Sequence, residues 1–346
     1  MVEVQGDATL AWQYSIKLFH HPLSMDHSSR QSLEVPPHLP AHTPRTRNPL
    51  TEGTKPGYRD ACADIAYAIH SLNDPNISTI TPAPHPNPAS DTGWSFPDTQ
   101  PGILAAIAAG ANTIWANTPL FANHPLITTA LPPCTKLIAN PPKVIDAVDD
   151  KAFTNKLLQH HGFSMPKSWL LEGDRARSIE RLSQLVYDLP YPVIVKPVRG
   201  RGSEGVQLIT GFVDMLDTLD DLFKIYGIVL VEEFLEGEEG TVTLMPDGQG
   251  KFTALPIVQR FDHVSGVIPW SGHVPVTKNS RVLSAREEDS WHRAAKIECQ
   301  KAAELLKLTS VTRIDIRRKD ENGGKFFLFD VNPKPVPPHP RPRKFP

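Results

Sequence analysis

The stretch VIVKPVRGRGSEGVQLI, Val193 to Ile209, decides how the rest of the chain is read. It puts Lys196 on a run of β-branched residues and follows it with Gly200, Gly202 and Gly205 in the order G-x-G-x-x-G. A dinucleotide-binding fold would open a helix at those glycines, with the pyrophosphate at its N-terminus. The residues after Gly205, Val-Gln-Leu-Ile, alternate and are β-rich, so they predict a strand. A kinase glycine loop also joins two strands, but its lysine comes after the loop and H-R-D and D-F-G follow. Here Lys196 precedes the loop and neither motif occurs. A Walker A loop ends in Gly-Lys-Ser/Thr, and this one ends in Gly-Val. What is left is strand, lysine, glycine-rich hairpin loop, strand. Glycines let such a loop fold its N–H groups over phosphates. A lysine on the strand beneath adds a point charge.

Downstream, VTRIDIRRKDENGGKFFLFDVN (311–332) reads as a hairpin centred on Asn322-Gly323, a pair that favours a two-residue type I′ turn. That register sets Asp315 opposite Asp330 and Arg313 opposite Asn332, and opposed residues share a face. Leu328 is expected beside them, with Ile314, Ile316, Phe327, Phe329 and Val331 on the other, core-facing side. Two carboxylates and an amide oxygen form a hard-oxygen site suited to Mg²⁺. An exposed face with an Arg–Asp pair is the other reading of the same pattern. Two features favour the metal site: opposed carboxylates repel, and the lysine and glycine loop call for a divalent ion. Gly324 is the residue that would shift the register by one.

Taken in order, DDKAFTNK (149–156), VIVKP, the glycine loop, VEEFLEGEE (231–239) and this hairpin resemble the ATP-grasp superfamily. From about Asp149 to Asn332 the chain is most similar to its D-alanine–D-alanine ligase branch. Each motif alone is weak, but the ordered set is specific. The resemblance implies an α/β and α+β protein, with two α+β subdomains clamping ATP behind a degenerate pre-ATP-grasp α/β domain. It implies Lys151 and Lys196 on the phosphates, and Gly200, Gly202 and Ser203 closing over the triphosphate. The backbone of Glu233 and Leu235 would read the adenine edge, with Glu232 among the cofactor contacts, Glu239 on the ribose hydroxyls and Leu328 against the adenine. Asp315, Asp330 and Asn332 would hold Mg²⁺, with Mn²⁺ as a substitute. Arg313 would face the transferring phosphate and the oxyanion, Arg313 and Lys196 being the catalytic residues. The family more often has Glu where Asp330 stands. The plainer alternatives are a surface position for Lys151 and a solvated turn for Glu236 and Glu238.

The implied activity is an ADP-forming carboxylate–amine ligase working through an acyl phosphate on small-molecule substrates. A phosphotransferase or carboxylase of the same fold differs only in its acceptor. Within RFDHVSGVIPWSGHVPVTKNSR (260–281), Arg260 and Lys278 are the candidate anion contacts, unless the segment is only a structural loop. After VNPKP, the run VPPHPRPRKFP departs from the family pattern. Six of the residues from Pro333 to Pro342 are proline, so a closing helix cannot form there. This makes a catalytically impaired ATP-binding chain with a truncated C-terminus the alternative. A nicotinamide-dependent oxidoreductase is the weaker rival.

The rest of the chain fits this reading. Its 346 residues suffice for more than one core. A net charge of −2 argues against a general nucleic-acid binder. Three scattered cysteines, expected as buried thiols, fit a reducing compartment. The absence of a signal-like start or a long apolar run suggests no membrane association and a cytoplasmic setting. The oligomeric state stays open, a dimer included. The expected organisation is a proline-rich region over 1–57, an α/β domain over 58–145 and the ATP-grasp domain over 146–334, with a proline-rich tail over 335–346. The α/β domain predicts a helix over Tyr58–Leu72, a strand over Ile77–Pro82, a helix capped by Asp98 or Thr99, and a strand over Thr113–Ala116. Its stretch GYRDACADIAYAI and FPDTQPGILAAIAAGANTIWANTPLFANHPL resembles uncharacterised fungal ATP-grasp relatives, some associated with secondary metabolism. A helix is expected from Asp149 or Asp150 to Gly162. A later one should open on a capping box, Ser284 to Glu287.

Overall fold

The structure is a computed structural model, and it describes residues 56–173, 179–200, 204–261, 263, 279–320 and 322–334. Gly202, Ser203, Lys278 and the tail from 335 lie outside the described residues.

Helix α1 (Pro56–Ser71) buries Ala61, Ala63 and Ile65. Helix α2 (Gln100–Ala108) starts at Thr99, whose side chain accepts from Gly102 N, with Pro101 setting the first turn. Strands β1 (Thr113–Trp115) and β2 (Lys136–Ile138) pair in parallel across α3 (Pro125–Thr128). Ile103, Leu120 and Leu126 make a small core there. The strand expected over Ile77–Pro82 does not form. The prolines at 82, 84, 86 and 88 remove the N–H donors that a ladder needs. That segment instead wraps Trp94, which is buried, donates its Nε1–H to Asn87 O at 3.0 Å and meets Tyr67 edge-on.

A second, antiparallel sheet has the order β3 (Ser168–Glu172), β6 (Ile228–Glu233), β4 (Val193–Pro197), β5 (Gln207–Ile209). Helices α6 (Ile179–Tyr187) and α7 (Phe212–Tyr226) accompany it. Alternation puts Val193, Val195, Val229 and Val231 against Met215, Leu219 and Leu222 of α7. The residues between them, Lys196 included, point the other way.

The third sheet runs β10 (Ser280–Val282), β9 (Val258–Arg260), β7 (Glu239–Pro246), β11 (Thr312–Arg318), β12 (Phe326–Asn332), with β8 (Phe252–Ala254) also on β7. Helix α8 (Ser290–Leu305) covers one face. Its small residues Ala295, Ala302 and Ala303, with Cys299, pack on Val242, Leu244, Ile314 and Ile316. Helices α4 (Pro142–Asp149) and α5 (Lys151–His160) feed Val144, Val148, Leu157 and Leu158 into the same core. Asn140, just before α4, is 3% exposed. It accepts from Thr309 N and Ser310 N and donates to Pro333 O, tying the approach to α4 to both ends of the hairpin.

Three local expectations need correcting. The capping box of α8 is Asp289 with His292, while Ser284 and Glu287 close a separate turn ahead of it. Of the cysteines, only Cys299 is buried; Cys62 is half-buried and Cys134 exposed, all three being free thiols. The hairpin does not close on a two-residue turn. β11 ends at Arg318 opposite Phe326, one residue out of the expected register, with Gly323 and Gly324 both at positive φ. A bulge at Phe329 then restores the register, so Asp315 faces Asp330 and Arg313 faces Asn332. The bulge also rotates what lies before it. Leu328 enters the core at 0% exposure instead of sitting beside the carboxylates, and Phe327 and Phe329 are only half-buried.

Candidate functional site

The open face of the third sheet carries Glu239 and Thr241 of β7, Arg313, Asp315 and Arg317 of β11, and Asp330 and Asn332 of β12. The second sheet and the start of α5 bring lysines to this face. Asp150 caps α5 by accepting from Phe153 N at 2.9 Å. Lys151, the first residue of α5, donates its N–H to Val198 O at the end of β4. Its Nζ lies 3.2 Å from Asp330 Oδ1 and 3.2 Å from Gly200 O. Arg199 then pairs with Asp149 at 3.3 Å and Asp150 at 3.4 Å, anchoring the root of the glycine loop to the same two acids. At the loop's far end Gly205 takes φ +72°, and a Cβ there would come within 2.8 Å of Pro197.

Lys196 is 5% exposed and 2.6 Å from Glu232 Oε2, and Asn155 donates to the other oxygen of that carboxylate at 2.5 Å. Lys196 also donates to Phe329 O at 3.2 Å. Phe329 is the bulged residue, so the irregularity that re-registers the hairpin also turns a carbonyl toward the lysine from the facing sheet.

The two carboxylates of the hairpin are shifted in opposite directions. Burial pushes Asp315 up, and the neighbouring Asp330 adds to this against the pull of Arg313. Burial works the same way on Asp330, but Lys151, Lys196 and Arg313 outweigh it and hold its carboxyl below the ordinary value. Thr241 Oγ1 donates to Asp315 Oδ1 at 2.8 Å, and Arg313 Nη2 donates to its other oxygen at 3.3 Å. Asn332 donates to both carboxylates, at 3.0 and 3.1 Å. Among the described residues no cluster of three or more His, Cys, Asp or Glu side chains is placed to hold a metal. A cation here would rest on Asp315, Asp330 and Asn332 Oδ1 after a half-turn of the amide, with ligand oxygens completing the shell. The donor set fits a hard divalent cation, because the two opposed acids otherwise depend on Arg313 and Lys151 for their countercharge.

The nucleotide-edge residues are more mixed. Glu233 gives its N–H to Lys167 O, so any adenine contact from it falls to its carbonyl. Leu235 is buried. Glu239 is 5% exposed, held by His263 at 2.9 Å and Arg317 at 3.4 Å. Gly237 sits where a Cβ would strike Asp320 O at 2.2 Å, so this bend is packed on the hairpin's loop. Leu328 is enclosed on all sides and presents no surface to an adenine ring.

Glu236 is exposed as expected, but Glu238 is no solvated turn residue. It binds Arg318 at 3.1 Å, His292 at 3.2 Å and Gln259 at 2.9 Å. Burial alone would push His292 down, yet Glu238 and Asp289 outweigh it and raise its pKa. A raised histidine stabilises the fold fully below its unfolded value of about 6.5 and loses that contribution as pH rises through the folded value. The unfolding midpoint should therefore fall across this window, and His292→Gln should flatten the slope; an unchanged slope in the variant would refute the assignment.

Asn155, Arg199, Thr241 and Arg317 went unread in the sequence. Thr241 had a signal, since it alternates with the buried Val242 and Leu244 on a strand leading out of the acidic bend. Asn155 and Arg199 are defined only by tertiary approach.

Lys196 from one α+β unit, meeting Lys151 at the start of α5 over the carboxylate hairpin of the other, defines an ATP-grasp protein. The chain belongs to the D-ala D-ala ligase C-terminus family, whose profile matches residues 157–336, just over half of it. It is 28% identical over 192 residues to a D-alanine–D-alanine ligase of Aquifex aeolicus, covering 54% of this chain and 58% of that one. It is 26% identical over 186 residues to one of Chromohalobacter salexigens, covering 54% and 55%. The solved D-alanyl-alanine synthetase A of Vibrio cholerae aligns over 60% of this chain and 61% of its own, with 20% identity and a TM-score of 0.47. The chain thus spans little more than half the length of the curated relatives it matches. Strand β5 follows the glycine loop, as the opening stretch predicts and a dinucleotide fold would not allow. No helix among the described residues is long and apolar enough to cross a membrane.

Proposed function

We propose that the chain is an ATP-dependent ligase that joins a carboxylate to an amine through an acyl phosphate. The observation that carries this reading is the pair of lysines, Lys196 and Lys151, converging from outside the third sheet on the bulge and on Asp330. A triphosphate between the sheets would take over those charges. Asp315, Asp330 and Asn332 would hold Mg²⁺, or Mn²⁺ in its place, which supplies charge neutralisation on the phosphate oxygens.

In the first step a carboxylate oxygen of the acid attacks the γ-phosphorus in line. The bridging P–O bond to the β-phosphate breaks, and ADP leaves with that electron pair. Arg313 faces the charge spread over the transferring group. In the second step the amine nitrogen attacks the acyl carbon, the C–O bond to phosphate breaks, and the nitrogen gives up a proton. Positioning and charge stabilisation are the chain's contribution, so no covalent nucleophile is required. Release of inorganic phosphate with the amide makes the reaction ADP-forming. A cytoplasmic, reducing setting belongs to this reading and rests on three well-separated cysteines with no C-x-x-C pair. So does a place in secondary metabolism, which rests on the resemblance of the N-terminal stretch.

The test is ADP release by the full chain over panels of carboxylates and amines. ADP should form only when ATP and a carboxylate are both present, with amide appearing when an amine is added. If the chain binds an ATP analogue but no carboxylate raises ADP release above background, the ligase reading fails.

A further inference from the structure

Arg260 is not used by the chemistry above, and its surroundings are unusual. It is half-buried on β9, with Glu239 of β7 on one side and Ser280 of β10 on the other. Its Nε donates to Thr241 Oγ1 at 3.4 Å. Thr241 in turn donates to Asp315, so Arg260 leans over β7 toward the metal hairpin. The carboxylates nearest it have other cations. Glu239 is held by Arg317 and His263, and Asp315 by Arg313. No acidic oxygen of the described residues lies within ion-pairing distance of Arg260 itself. Burial, and after it the neighbouring Arg313, hold the Arg260 guanidinium below its ordinary basicity, against the pull of Asp315 and Glu239.

A half-buried guanidinium with no ion pair among the described residues, beside a second guanidinium, is unfavourable by itself. An anion between or in front of the two removes that cost, and the fork of five donors suits a carboxylate or phosphate. The phosphate-directed lysines act at β12, whereas Arg260 stands three strands away across β11 and β7. Strands two apart are separated by about 10 Å, so Arg260 and Arg313, on the two neighbours of β7, come within electrostatic reach of each other. In the ligase reading Arg313 is already taken by the transferring group.

We propose that Arg260 is a specificity-determining residue that binds a second oxyanion group on the acid substrate, so that the ligase takes a short dicarboxylate rather than a simple monocarboxylate. This rests on the ligase reading, which places Arg313 over the group transferred to the near carboxylate. Arg260 grips the far carboxylate and sets the length of the acid, while the near carboxylate stays against Arg313 for phosphorylation.

The experiment uses the full chain and defined probes. Malonate, succinate and glutarate, each with its monomethyl ester, are titrated calorimetrically with and without Mg²⁺ and a non-hydrolysable ATP analogue. The best diacid should bind about tenfold or more tighter than its monoester, the loss of one charge-assisted contact. Arg260→Gln should reduce that ratio to about twofold. Arg260→Lys, which keeps the charge and loses the fork, should fall between. Equal binding of diacid and monoester, no saturable diacid binding, or a preference that survives Arg260→Gln would each overturn the proposal. Loss of ATP-analogue affinity in Arg260→Gln with the diacid preference intact would give the guanidinium to the nucleotide and also overturn it. Diacid binding that persists in a chain unable to bind the analogue would sink the ligase reading and leave this site standing.

Discussion

Lys196→Ala should destabilise the fold by about 3–5 kcal/mol, the cost of breaking a buried ion pair from one side. It should also weaken ATP binding by about tenfold to a hundredfold, one charge-assisted phosphate contact. The two losses have different owners. Lys196 and Glu232 are 5% and 3% exposed and lie 2.6 Å apart, so alanine leaves Glu232 as a buried anion with Asn155 its remaining side-chain partner among the described residues. Adding Glu232→Gln removes that stranded charge and should recover most of the stability, since a buried pair replaced on both sides is often close to neutral. The phosphate contact does not return with it. The double variant should therefore melt near the wild-type temperature and still bind ATP poorly. Wild-type ATP affinity in the double variant would mean that Lys196 is a structural partner of Glu232 and does not touch the nucleotide.

This pair also marks how far the sequence could be read. VIVKP announced the strand and its lysine by local pattern alone, because β-branched alternation and glycine spacing are properties of neighbours in the chain. Asn155 belongs to a helix whose limits were legible from Asp150 and Gly162, yet nothing local says that its amide meets Glu232 across the domain. The hairpin makes the same point more sharply. The opposition of Asp315 to Asp330 was legible, but the route to it was not. Glycines at 323 and 324 set β11 and β12 one residue out of register, and the bulge at Phe329 compensates. Period-two reasoning carries no information about a bulge, so it put Leu328 on the wrong face. Ile77–Pro82 failed for a different reason. Its β-rich composition was real, but a strand needs a partner ladder, and the prolines that follow leave none.

The bulge matters most for the second large effect, which concerns Asp330. Asp330→Asn should keep the fold and lower the affinity for Mg²⁺ at least about tenfold, since the ion would lose one of two anionic ligands. Stability should change little because opposing terms meet at this residue. The substitution gives up the 3.2 Å pair with Lys151, whose Nζ keeps Gly200 O. It also relieves Asp315 of the facing charge that, with burial, pushes its carboxyl up. Asp315 keeps Arg313 and Thr241, so no buried anion is stranded. The readout is the Mg²⁺ concentration at half-maximal binding of an ATP analogue, followed beside the unfolding midpoint. If the Mg²⁺ midpoint stays put, the opposed carboxylates are not the cation site. If the midpoint of unfolding drops by more than about 2 kcal/mol equivalent, the Lys151 pair is holding the glycine loop's root in place. Asp330 would then be a structural partner of the loop before it is a ligand.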